Sequence, residues 1–113
     1  MNEGSPDVDE FQIADFTKQL DATGELWTEF LRVPAMSAGV YRLRAGQEDP
    51  QTPHQEDEVY YVVSGRAVLR VGDAELAAVA GAVLFVEAQA EHRFERITED
   101  LTLLVIFAPA ETE

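Results

Sequence analysis

The 113-residue chain contains no cysteine. Disulfides and thiolate metal centres are therefore excluded, and any metal ion is left to nitrogen and oxygen donors. Histidine is nearly as scarce, with only His54 and His92. Basic residues are few: eight Lys and Arg stand against 22 Asp and Glu, for a formal net charge of −14. Such a field repels phosphate backbones and anionic lipid, so neither nucleic acid nor a membrane is an expected partner. No apolar run reaches the roughly 18 residues of a membrane-spanning helix. The start, Met1-Asn2-Glu3-Gly4-Ser5, is acidic and polar, unlike a signal peptide. A soluble cytoplasmic protein is expected.

What is present is a hydrophobic fraction of 46%, enough for one folded domain of modest core. Residues 1–8 read as a loose acidic leader. Pro6-Asp7-Val8-Asp9 opens a short helix with Asp9 as N-cap, and Phe11, Ala14 and Leu20 form its imperfect apolar stripe. Asp21-Ala22-Thr23-Gly24 ends it. Beyond that point the signals are β. Strands are expected over Leu26–Val33, Met36–Arg44, Glu58–Val63, Arg66–Val71, Glu75–Val79, Ala82–Val86, His92–Ile97 and Leu101–Phe107. Between them lie a polar loop over Ala45–Pro53 and turns at Gly65, Gly72-Asp73, Gly81 and Glu99-Asp100. Short strands at close spacing, after one short helix, predict an all-β antiparallel barrel or sandwich. The expected division is a leader and helix over 1–25, a barrel over 26–108 and a polar tail over 109–113.

Ala67, Leu69 and Val71 alternate with Arg66, Val68 and Arg70, which makes one face of that strand wet. Glu58–Val63 and Leu101–Phe107 are apolar on both faces, and such a strand must be covered on both. One face suits a barrel interior. The other calls for the N-terminal segment or a second copy of the chain, so a homodimer packed sheet to sheet is expected.

The chemistry-bearing residues gather around Glu58-Val59-Tyr60-Tyr61-Val62-Val63-Ser64-Gly65, with His54 just before it and His92 ahead of a later strand. Side chains alternate along a strand, so if the strand extends back from Glu58, then His54 and Thr52 share its face with Tyr60 and Val62. Two imidazoles and a carboxylate are enough to hold a metal ion.

The spacing carries a resemblance. Gly46, Thr52, His54, Glu58 and Gly65 stand where the first motif of the cupin superfamily has Gly-x5-His-x-His-x3-4-Glu-x6-Gly, with threonine in the first histidine slot. Gly81 and His92 match the second motif, Gly-x5-Pro-x-Gly-x2-His-x3-Asn, in which Glu87, Gln89 and Arg96 replace Pro, Gly and Asn. The likeness covers about residues 36–107, and the whole segment Pro53–Gly65 resembles this family.

The resemblance implies a double-stranded β-helix barrel of six or more strands with a metal near one open end. It assigns His54, Glu58 and His92 as ligands of a divalent ion: Fe, Mn, Zn or Ni. Thr52, whose hydroxyl is a poor donor beside imidazole and carboxylate, leaves an open position for water, or Gln51 turns its amide oxygen inward to fill it. Open positions admit substrate or dioxygen, whereas a closed shell is structural. Tyr60, Phe94, Phe85 and Met36 are candidate pocket-lining residues, each also a candidate for plain core. Glu56 and Asp57 assist the metal or form a solvated acidic turn. Arg42 and Arg44 lie on a solvated face unless one turns inward to a substrate carboxylate. Trp27 packs over the barrel or at an interface.

Two functions follow from the resemblance: a metal-dependent enzyme, oxygenase-like or isomerase-like, on a small polar organic molecule, or a binding or sensor barrel with a degenerate metal site and no chemistry. A metal-free sugar-epimerase type needs basic residues for a nucleotide-sugar phosphate, and the charge of −14 argues against it.

Overall fold

The computed structural model describes residues 8–112, so the expected leader, apart from Val8, lies outside the described residues. The helix, α1, spans Ile13–Thr23 and starts later than the Asp9 cap predicts. Gln12 occupies the N-cap position without a side-chain cap bond, and Asp15 in the first turn complements the helix dipole. Gly24 closes α1 in the left-handed conformation (φ 78°) and donates its N–H to the Leu20 carbonyl at 2.8 Å. The apolar stripe is shifted from the expected one. Leu20 is buried and Phe16 stacks on Phe30 with ring centroids 4.8 Å apart, whereas Ala14 is exposed.

Six strands follow: β1 (Trp27–Val33), β2 (Met36–Leu43), β3 (Asp57–Val71), β4 (Ala74–Val79), β5 (Val83–Val86) and β6 (His92–Ala108). Every pairing is antiparallel. The long strands β3 and β6 run beside each other from Asp57↔Ala108 to Val71↔His92. The first half of β3 carries β5 on its other edge and the second half carries β4. β2 flanks the last part of β6, and β1 flanks β2. Two half-sheets result, β1-β2-β6-β3-β5 and β6-β3-β4, sharing one continuous bent pair. This is the double-stranded β-helix that the resemblance implies.

The turns expected at Gly65 and at Glu99-Asp100 are bends instead. The pairing of β3 with β6 shifts register between Val62 and Val68, where the strands bulge together. Gly65 sits at φ 100°, and a Cβ there would run into the Asp100 carbonyl oxygen and the Leu101 Cα. Only glycine lets the two backbones pass that closely.

Alternation places Tyr60 and Val62 of β3, Leu84 and Val86 of β5, and Leu101, Leu103, Val105 and Phe107 of β6 inside the barrel, all buried. Leu69 and Ala67 are buried as well, while Arg66 is exposed, as the period-two pattern of that strand predicts. On the outside, α1 packs on β1 and β2. Arg42 fastens it: its guanidinium reaches Asp21 at the helix end (3.0 Å) and donates to the Thr102 hydroxyl (2.6 Å). Arg42 and Arg44 thus both serve ion pairs outside the barrel. Beyond the helix the outer face stays open, and Val83, Phe85 and Tyr61 are 67%, 58% and 40% exposed.

Candidate functional site

Glu58 is the second residue of β3, on its inward phase, and His92 is the first of β6. His54 comes from the loop before β3. That loop is not an extension of the strand, since β3 begins at Asp57. His54 is instead placed by backbone: its carbonyl accepts the Gln89 N–H at 2.6 Å. Gln89 and Arg96 are the two non-glycine residues with positive φ among those described (66° and 49°). They occupy the Gly and Asn slots of the second motif, so the backbone keeps the left-handed turns that explain those residue types while the side chains have changed.

The donor atoms of His54, Glu58 and His92 all lie within 4.8 Å of one another. Two donors on one ion at ~2.1 Å each stand at most ~4.2 Å apart. The set therefore fits a divalent ion after side-chain shifts of a fraction of an ångström. His92 Nε2 is 2.9 Å from Glu58 Oε1, and the ring's Nδ1–H donates to the Ala90 carbonyl at 2.9 Å. That second bond fixes the ring and presents Nε2 to the site. Burial disfavours the imidazolium, but the Glu58 carboxylate and the Ala90 carbonyl outweigh it and hold His92 above its ordinary pKa. Glu58 is itself 2% exposed, a carboxylate that burial makes costly unless it is paired.

Around the three lies a hydrogen-bonded frame. The Tyr60 hydroxyl donates to Gln51 Oε1 (2.9 Å) and lies 3.0 Å from His92 Nε2. The Gln51 amide donates in turn to Asp49. The buried Asp49 carboxylate also accepts the Tyr41 hydroxyl (2.6 Å) and the Phe94 N–H (2.9 Å). Burial first, then the neighbouring carboxylates, push both tyrosine hydroxyls far above their ordinary range, so each remains a phenol. From the other side, Glu111 Oε2 lies 3.0 Å from His54 Nδ1. Burial, opposed by His54 and reinforced by Glu56, Glu58 and Glu29, raises the Glu111 pKa.

A cavity of about 410 Å³ opens beside His54 and Glu58. His54, Glu58, Gln51 and Glu111 form its polar end; Trp27, Tyr41, Tyr60 and Phe107 supply its rings, with Leu26 and Val105 beside them. A second cavity of about 260 Å³ includes Gln51, His92, Arg70, Arg93, Glu91 and Glu95.

Measured against the sequence expectations, Tyr60 lines the cavity. Phe94 is core, 1% exposed and edge-on to Tyr60 at 4.9 Å. Phe85 points outward because β5 pairs Val59↔Phe85, and Val59 is on the outer phase of β3. Met36 is likewise out of phase with the inward Ser37, Gly39 and Tyr41. Thr52 is exposed and lines neither cavity, whereas Gln51 turns inward and spends its amide oxygen on Tyr60. Glu56 is not part of a solvated turn: it is 4% exposed and accepts the Thr112 N–H and hydroxyl. Asp57 accepts the Ala88 N–H. Trp27 packs over the barrel mouth, edge-on to Tyr41 and Phe107 at 6.4 and 6.1 Å.

Asp49, Tyr41 and Glu111 were not legible as site residues. Tyr41 shares the phase of buried Leu43, which could have marked it. Asp49 in a polar loop and Glu111 in a polar tail carry no such signal.

The family model described as the cupin domain matches residues 39–107. An uncharacterized protein of Streptomyces coelicolor is 42% identical over 102 residues, covering 90% of this chain and 97% of its own. Among solved structures, a protein from Thermus thermophilus is 28% identical at a TM-score of 0.63, covering 75% of this chain and 85% of its own. A conserved protein with a double-stranded β-helix domain from Klebsiella pneumoniae superposes at a TM-score of 0.76 over 95% of this chain and 99% of its own, at 19% identity. With the motif glycines at its bends and His54, Glu58 and His92 gathered at one barrel mouth, the chain belongs to the cupin family.

Proposed function

We propose that this cupin binds a divalent metal ion through His54, Glu58 and His92 and holds a small organic molecule against it in the adjoining cavity. The observation that carries the reading is the convergence of three donor side chains, from a loop and two strands distant in sequence, to within 4.8 Å, with His54 and Glu58 lining a cavity. Two imidazoles and one carboxylate suit Fe, Mn, Zn or Ni and leave positions open for a ligand. A bound ion there would polarise a coordinated oxygen of the ligand, which is the chemistry of an oxygenase-like or isomerase-like enzyme. The chain's own residues fix the rest. Ala90 and Glu111 orient the two rings, Tyr60 and Gln51 hold the wall, and the aromatic lining excludes water. Elemental analysis of protein reconstituted with each metal and desalted tests the reading. One equivalent bound is expected; no stoichiometric metal would sink it.

Thr52 in the first histidine slot favours a second reading, a small-molecule binding or sensor barrel without catalysis. Turnover, or its absence, of diketones, thiols and catechols by the metal-loaded protein separates the two. Further parts of the proposal are a homodimer joined through the outer face of β3, β5 and β6, and a cytoplasmic location. The dimer is supported by two apolar rows across that face, Phe85–Val59–Ile106 and Val83–Tyr61–Leu104, which α1 leaves open. No helix among the described residues is long and apolar enough to cross a membrane.

A further inference from the structure

We infer that the 410 Å³ cavity selects an uncharged or cationic molecule with a flat apolar body and a hydrogen-bond donor, and rejects carboxylates and phosphates. The inference deepens the proposed ligand site and rests on that cavity being where the ligand binds. Among the described residues, the charged side chains lining the cavity, apart from the histidine, are Glu58 and Glu111. None of the eight Lys and Arg residues lines it. Arg70 and Arg93 line the second cavity instead, and Arg70 is engaged by Glu95 and Glu75. An anion entering the first cavity would meet two carboxylates and no cation, in surroundings where water screens poorly. A divalent ion on the triad would itself attract an anion to its open positions, so this selectivity belongs to the metal-free cavity.

Hydrogen-bond accounting points the same way. The Tyr41 and Tyr60 hydroxyls are spent on Asp49 and Gln51. The unspent capacity of Glu58 and Glu111 is acceptor capacity, so a ligand that bonds to them must donate. The body of the site is aromatic. Trp27, Tyr41, Tyr60 and Phe107 line it and offer apolar surface and π-faces for a cation.

Trp27 is the single tryptophan of the chain and reports directly on the cavity. Its fluorescence would be titrated with benzylammonium, benzyl alcohol and benzoate, each in chelator and again with zinc. The expected order in chelator is the cation and the alcohol first, with benzoate weaker than the cation by about tenfold or more, as cation–π contact and like-charge repulsion together require. Glu111→Gln should narrow the gap between cation and benzoate by several-fold. Benzoate binding as tightly as the cation in chelator, no saturable response to any probe, or an unchanged gap in Glu111→Gln would each overturn the inference. Zinc stoichiometry is read separately. Absent zinc with the order intact defeats the metal reading alone, and bound zinc with the order reversed defeats this one alone.

Discussion

At the scale of single residues, the site is a set of donors and acceptors whose accounts close on one another. His92 illustrates this. Its folded pKa is raised because Glu58 and the Ala90 carbonyl favour the charged ring more than burial disfavours it. A raised pKa means that the folded protein holds the proton more tightly than the unfolded chain. In metal-free protein the stabilisation is thus fully present below the ordinary histidine pKa of ~6.5 and is lost as pH rises through the higher folded value. Melting temperatures in chelator should fall across that window, and His92→Gln should flatten the dependence; an unchanged slope would contradict the assignment. Tyr60→Phe removes the hydroxyl that bridges Gln51 and His92 while keeping the buried ring. It should cost about 1–2 kcal/mol in denaturant unfolding, because the Gln51 oxygen loses its donor.

At the scale of elements, two backbone positions decide the architecture. Gly65 lets β3 and β6 cross at the bend, and Gly65→Ala faces both positive φ and the Asp100 carbonyl. A loss of roughly 2–4 kcal/mol is expected. Gln89 is the converse case, a non-glycine held at φ 66°. Gln89→Gly should be neutral or stabilising by up to about 1 kcal/mol, read as the denaturation midpoint. Destabilisation would mean that the side chain, not the backbone, matters there. These positions also show what the sequence could reveal. Alternation in β3 and β6 marked the inward residues, and the spacing of Gly46, His54, Glu58, Gly65, Gly81 and His92 marked the family and its donor set. The bend at Gly65 read as a turn, because local signals register a glycine without showing whether the partner strand bends beside it. Phase was likewise hidden for Phe85 and Met36: which face of a short strand turns inward depends on its neighbours' register. Asp49 and Glu111 became site residues only through contacts across the fold, with Phe94 and with His54.

At the scale of the whole molecule, the charge of −14 and the apolar outer face pull in opposite directions. Charge keeps copies apart, while the exposed Val83, Phe85 and Tyr61 leave a contiguous surface that a second copy could cover. Light scattering should give twice the 12.5 kDa chain mass, and Phe85→Glu should return the protein to monomer without loss of fold. A monomeric wild type at working concentration would contradict the dimer. Metal binding depends on the convergence of His54, Glu58 and His92. The most direct measurement is metal content after reconstitution and desalting, for the wild type and for His54→Ala and His92→Ala with their folds checked by circular dichroism. One divalent ion per chain is expected in the wild type and little or none in either folded variant. Metal-free wild type, or variants that hold metal as tightly as the wild type, would contradict it.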